Sequence, residues 1–129
     1  MVLNEETYTT EIAKISWAEK GIVKVEFQHN AVITIDDIKK LNETIGKLTD
    51  NKKAPILLIA GHYTTLTKEA REYAGTKEAV PYSIVEAYVI ETLAQKILAS
   101  FFISFNTPPV ETKFYKSQEA ALEWLRSFL

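Results

Sequence analysis

Any chemistry in this chain would centre on position 62. His62 is followed by Tyr63, Thr64 and Thr65, and an imidazole beside a phenol and two hydroxyls is raw material for proton transfer or for holding a polar ligand. No serine or cysteine nucleophile motif surrounds the histidine, so no catalytic set is assembled and no enzyme activity is expected. His62, Tyr63, Thr64 and Thr65 are therefore read as candidate loop contacts. The second histidine, His29, is remote in sequence and lacks ligand spacing; with no cysteine in the chain, neither a metal site nor a cofactor is expected. Thr67 stands where a helix should begin. A phosphate on its hydroxyl would meet free backbone N–H groups and the helix dipole, while the unmodified hydroxyl would serve as an N-cap.

The other charged and aromatic groups read mainly as structural. Asp36 and Asp37 are neighbours on a helix and point about 100° apart, which suits the positive end of the helix dipole better than an acid–base pair. Glu69, Arg71 and Glu72 form a solvated face, or a rim for a partner. Phe101, Phe102 and Phe105 cover too wide an arc for all three to face one sheet. With Trp124 they are candidates for a partner surface or an apolar pocket, although core packing is the leading reading of these aromatics.

These residues need elements to position them. The buried run Ile56-Leu57-Leu58-Ile59-Ala60 shows no alternation and follows a polar, proline-terminated lead-in, as a strand covered on both faces does. It delivers the loop carrying His62 to the helix that opens at Thr67, the place where open α/β folds meet ligands. Upstream, Ala13, Ile15 and Trp17 alternate with Lys14 and Ser16, and Val23, Val25 and Phe27 alternate with Lys24 and Glu26. Joined by Glu19-Lys20-Gly21, these predict an antiparallel hairpin. Thr34 caps a helix reaching about Asp50 with Ile35, Ile38, Leu41, Ile45 and Leu48 along one stripe. Downstream, the pattern predicts a helix from Thr67 to Tyr73 or Ala74 with Gly75 at its end. A strand over Ser83–Ile90 and a helix from Thr92 to about Ser104 or Phe105 follow. A strand over Thr112–Tyr115 leads to a last helix capped by Ser117, with Leu122, Leu125, Phe128 and Leu129 buried.

The expected order is β-β-α-β-α-β-α-β-α: an α/β fold in which an antiparallel N-terminal hairpin continues into a mostly parallel sheet with four helices. At 129 residues the chain is read as one domain over 10–129 preceded by a loose arm over 1–9. A formal net charge of −2, with both signs scattered, leaves no basic field for nucleic acid. The apolar segment 84–105 is interrupted by Glu86, Glu91, Gln95 and Lys96 and so reads as core, not a membrane span. Met1-Val2-Leu3 followed by Asn4-Glu5-Glu6 lacks the features of a secretory leader, and the absence of cysteine fits a reducing compartment, so a cytoplasmic location is expected.

Four stretches carry a family resemblance: Ile33 to Asp37; Thr67-Lys68-Glu69-Ala70-Arg71-Glu72-Tyr73; Phe101 through Pro108; and Thr112-Lys113-Phe114-Tyr115 with Glu119 through Leu125. On these the chain resembles the small bacterial proteins of the STAS superfamily, the anti-sigma-factor antagonist fold, in a subgroup related to both STAS and CRAL-TRIO proteins. The resemblance implies a non-catalytic regulatory or binding module working through a protein partner or through self-association as a homodimer. The alternative is a small carrier holding an apolar or lipid-like molecule between the sheet and the C-terminal helices. Antagonists of this kind carry an Asp-Ser-Ser-Gly-like run where this chain has Thr65-Leu66-Thr67-Lys68, which makes Thr67 the closest counterpart of their regulatory phosphorylation site.

Overall fold

The computed structural model describes residues 7–92, 95 and 108–129. Its first paired residues are Thr7–Thr9 (β1), which lie antiparallel on Ala13–Glu19 (β2). The loose arm expected over 1–9 is thus corrected at its end: Thr7 to Thr9 find free backbone partners along the edge of β2, and residues 1–6 lie outside the described part. Strand β2 pairs antiparallel with Ile22–Phe27 (β3), and Gly21 turns the hairpin at φ +89°, a conformation open to glycine at no steric cost. Trp17 stays in register opposite Val23, on the face of Ile15, and a bulge follows between it and Glu19; it lies near the end of β2 and is 37% exposed.

After Val32–Ile33 (β4) comes helix Ile35–Thr49 (α1). Its start is a capping box. The Thr34 hydroxyl accepts from the Asp37 amide, and the Asp37 carboxylate accepts from the Thr34 amide at 2.9 Å, which fixes Asp37 as a structural residue. Ile38, Leu41, Ile45 and Leu48 are buried, at the expected helical spacing. The chain ends the helix at Asp50 with φ 55° and enters Ala54–Ile59 (β5), which runs parallel to β3. Ala54 through Leu58 are all buried, because this central strand is covered on both faces.

Beyond β5 lie Thr65–Leu66 (β6), Lys68–Ala74 (α2), a 3-10 turn at Lys77–Ala79 and Ser83–Val89 (β7). Thr112–Tyr115 (β8) and Gln118–Arg126 (α3) complete the described elements. Gly75 follows α2 as expected, but at φ −81°, so its special backbone freedom is not used. The six-stranded sheet has the order β1-β2-β3-β5-β7-β8, with β3, β5, β7 and β8 mutually parallel, and β4 and β6 form a separate parallel pair. Four helices are expected from the sequence and three α-helices are described; the helix expected from Thr92 onward, with Phe101, Phe102 and Phe105, falls almost wholly outside the described residues.

Period-two alternation sorts the sheet's side chains onto two faces. Ala13, Ile15, Val23, Val25, Ile56 and Leu58 pack with the inner stripe of α1 and with Ala70 of α2. On the opposite face Ile22, Leu57, Val85, Ala87 and Val89 pack with Ala121 and Leu125 of α3. Leu122 and Phe128 are half-buried there. Leu129, expected to be buried, is 67% exposed, with its tip beside Gly21. The last helix is also tied down by charge: Arg126 forks onto Glu19 with Nε at 2.6 Å and Nη2 at 3.0 Å, and this hydrogen-bonded pair holds the Glu19 carboxyl below its usual range.

Candidate functional site

Because β3 and β5 are parallel neighbours, the loops that follow them emerge at the same end of the sheet. His29 and His62, 33 residues apart in sequence, therefore meet, with ring centroids 4.7 Å apart. The His62 amide donates to His29 Nδ1 at 2.8 Å, and the Asn30 amide donates to the His62 carbonyl at 2.8 Å. Thr64 Oγ1 donates to the Gln28 carbonyl at 2.5 Å. The pairing continues through β4 and β6, where the Thr65 amide donates to Ala31 O and the Thr67 amide to Ile33 O. The polar residues singled out by the sequence thus lace two adjacent loops together.

Each candidate among the described residues has a definite place; Phe101, Phe102 and Phe105 lie outside them. Thr67 is the N-cap of α2, its hydroxyl accepting from the Ala70 amide at 3.1 Å. Tyr63 is 80% exposed and holds a left-handed backbone at φ 59°, unusual for an aromatic residue. Gly61 lies where β5 runs closest to the end of β3: a Cβ there would meet the Gln28 carbonyl oxygen at 2.5 Å and also the Thr64 hydroxyl. Trp124 is on the other face of the sheet, edge-on to Phe128 at 5.0 Å, with Lys113 Nζ 5.0 Å from its ring centroid. It is part of the α3 packing and is not brought near the loop residues.

Beneath this corner the sheet and the helices leave space. A cavity of about 190 Å³ lies on the face covered by α1 and α2. Among the described residues its walls include Ile38, Leu41 and Ile45 of α1, Ile56 and Leu58 of β5, and Ala79 and Val80 of the 3-10 turn. A second cavity of about 220 Å³ lies toward the strand ends, lined by Thr65, Arg71, Ile90, Gln95 and Phe114 among others. The two share Ala60, Gly61, Thr64, Leu66, Ala74 and Tyr88 as walls, so they are neighbours at the laced corner. The cavities lie under α1 and α2, on the opposite face from α3; the sequence places an apolar site between the sheet and the C-terminal helices, of which the one expected from Thr92 lies almost wholly outside the described residues.

Two polar residues of this region were passed over in the sequence as mere interruptions of an apolar segment. Gln95 is buried; its side-chain amide donates to the Gly61 carbonyl at 3.0 Å, and its oxygen accepts from the Glu91 and Thr92 amides. It closes the corner from the β7 side. Glu86 is 92% buried, being only 8% exposed, and lines the first cavity. Ser83 Oγ donates to its carboxyl at 2.8 Å. Burial pushes the carboxyl up from its usual range, and the Ser83 bond offsets this only in part. Tyr88, on the same face two residues along, is raised as well, by burial and by the nearby Glu86. The signal for Glu86 was a carboxylate standing between Val85 and Ala87 in a strand covered on both faces, where a charge is costly.

No set of three or more histidine, cysteine, aspartate or glutamate side chains suited to a metal ion occurs among the described residues. Nor is any described helix long and apolar enough to cross a membrane.

Residues 16–129 match the family described as Domain of unknown function (DUF7793), and the chain belongs to that family. No curated protein matches it. Among solved structures it is similar to an uncharacterized protein of the DUF3478 family with a SpoIIAA-like fold from Shewanella loihica PV-4. That likeness has 18% identity, covers 97% of this chain and 98% of the other, and has a TM-score of 0.56. Another similar structure is a protein with unknown function from Arthrobacter sp. FB24, at 22% identity, 87% and 97% coverage and a TM-score of 0.33. The first likeness shows the fold, SpoIIAA-like, and agrees with the STAS resemblance carried by the sequence.

Proposed function

We propose that this DUF7793 member is a non-catalytic binding module whose ligand, a small apolar molecule, occupies the cavity between the sheet and α1 and α2. The observation that carries this reading is the cavity itself: about 190 Å³, walled mainly by aliphatic side chains and adjoining a second space at the strand ends. An apolar cavity of roughly 150 Å³ holds a benzene-sized molecule, so this space is adequate for a ligand of about eight non-hydrogen atoms. The non-catalytic part is supported by how the corner uses its polar groups. The Nδ1 of His29 is occupied by the His62 amide, the Thr64 hydroxyl by Gln28, and the Thr67 hydroxyl by the Ala70 amide. They stabilise loops, and no nucleophile–base pair is left poised.

A second reading, contact with a protein partner or a second copy, is favoured by one observation. Tyr63 and Val32 are 80% and 60% exposed and sit on the laced loops above the cavity, Val32 opposite Thr65 in the β4–β6 pair. The two readings combine if ligand occupancy sets the conformation of this rim. Native mass spectrometry of the protein purified from its own cells separates them: a small apolar molecule released on denaturation supports the cavity reading. A complex with a polypeptide and an empty cavity supports the contact reading alone.

A further inference from the structure

Glu86 is the one carboxyl in the described lining of the first cavity, and no loop or helix-capping duty accounts for it. Its strand partners are Ile56 on β5 and Thr112 on β8, and the Ser83 hydroxyl is its hydrogen-bond donor among the described residues. Among the described residues, the groups facing this space from the packed elements are uncharged: Leu41, Asn42 and Ile45 from α1, and Ala79 and Val80 from the 3-10 turn. Tyr88 is the other titratable group in the lining. Arg71, in the lining of the second cavity, turns its guanidinium to the Leu66 carbonyl at 3.0 Å and forms no ion pair with Glu86.

We propose that the cavity selects a small uncharged molecule bearing one oxygen acceptor, a ketone, ester or amide carbonyl, which the Glu86 carboxyl engages while the aliphatic walls hold the remainder. This rests on the cavity reading above and names the chemistry of its ligand. Among the described residues no cation pairs with Glu86, and burial among aliphatic side chains favours its protonated form, in which a carboxyl is a hydrogen-bond donor as well as an acceptor. Ser83 donates to one carboxyl oxygen, which leaves the carboxyl's own proton for a partner in the cavity. Tyr88, on the same face and about 7 Å along the strand, keeps its phenol neutral and walls both spaces. A ligand with no acceptor would leave the Glu86 proton unsatisfied, and a carboxylate ligand would put an uncompensated charge among apolar walls.

Acetophenone and ethylbenzene differ at this point and little in shape, so titrating each into the protein at pH 7 by ligand-observed NMR tests the anchor. The expected result is tighter binding of acetophenone, by roughly three- to tenfold, the range of one net hydrogen bond. Glu86→Gln, which keeps a donor, preserves that order; Glu86→Leu, which removes it, reverses the order, because the carbonyl then loses its water with nothing in return. Equal or tighter binding of ethylbenzene to the unmodified protein overturns the anchor while leaving the cavity reading standing, and this comparison does not depend on how the variants fold. An acetophenone preference that persists in Glu86→Leu overturns it equally. If neither probe binds at millimolar concentration, the cavity reading fails and the anchor with it.

Discussion

Replacing Gly61 by alanine tests whether the corner is as tightly laced as its geometry indicates. The added methyl carbon would stand 2.5 Å from the Gln28 carbonyl oxygen and 2.8 Å from its carbon, well inside the 3.4 Å at which ordinary contact begins. Backbone cannot swing aside as a side chain does, so the end of β3 or the loop after β5 must shift by most of an ångström. Such overpacking costs about 1–3 kcal/mol. The shift also stretches the Thr64–Gln28 and His62–His29 bonds, each worth about 0.5–1.5 kcal/mol net. Reduced freedom of the unfolded chain returns about 0.4–1 kcal/mol, leaving a loss of about 1–6 kcal/mol. For a chain of this size, 1 kcal/mol moves Tm by roughly 3–5 °C, so a calorimetric or circular-dichroism melt should show Gly61→Ala unfolding about 3–30 °C below the unmodified protein. Adding Thr64→Ala should not restore it, since that removes the hydroxyl clash and leaves the Gln28 clash in place. A Tm within about 2 °C of the unmodified protein would refute the close approach of the two strand ends.

Three further outcomes are expected. The Glu86 carboxyl is held above its free value of 4.5, so the folded chain binds more protons than the unfolded one above that pH. Stability therefore falls as pH rises from 4.5 toward the folded pKa, by about 1.4 kcal/mol for each unit of elevation. Urea unfolding of Glu86→Gln should lose this dependence, becoming more stable relative to the unmodified protein as pH rises; parallel curves would contradict the carboxyl's burial. Thr67→Ala should lower stability by about 0.5–2 kcal/mol through loss of the α2 cap, and Thr67→Ser should retain it, both read from thermal melts. Tyr63→Gly should leave stability unchanged or raise it by up to about 1 kcal/mol, because the left-handed backbone at φ 59° is easy for glycine and the exposed ring contributes little burial; a marked drop in Tm would show that the ring packs.

What could be read from the sequence was whatever a local pattern carries. The unbroken run Ile56 to Ile59 announced a strand covered on both faces, and Ala54–Ile59 is that strand. Thr34, Thr67 and Ser117 announced three helix starts, and each accepts the expected amide. What escaped depends on neighbours distant along the chain. The two-residue strands β4 and β6 have no period of their own and exist because their loops run side by side. His29 was set aside as remote from His62, yet parallel pairing of β3 with β5 puts their following loops together. Had that pairing been carried past the strand ends, two residues beyond β3 and three beyond β5, the two histidines would have been found. Trp17 keeps its place in the alternation, opposite Val23, but near the end of β2 its covering depends on distant neighbours and it is left 37% exposed. Glu86 was legible in principle, since a carboxylate midway along an apolar strand is a residue with a task.

The central claim is that the space beneath α1 and α2 is a binding site. Its most direct test is acetophenone titrated into the full chain while the amide and methyl resonances of the cavity walls are followed by two-dimensional NMR. The account predicts saturable shifts confined to residues such as Leu41, Ile45, Ile56, Leu58 and Val80, with those of α3 unmoved. Shifts spread over the α3 face, or none at millimolar probe, would contradict it.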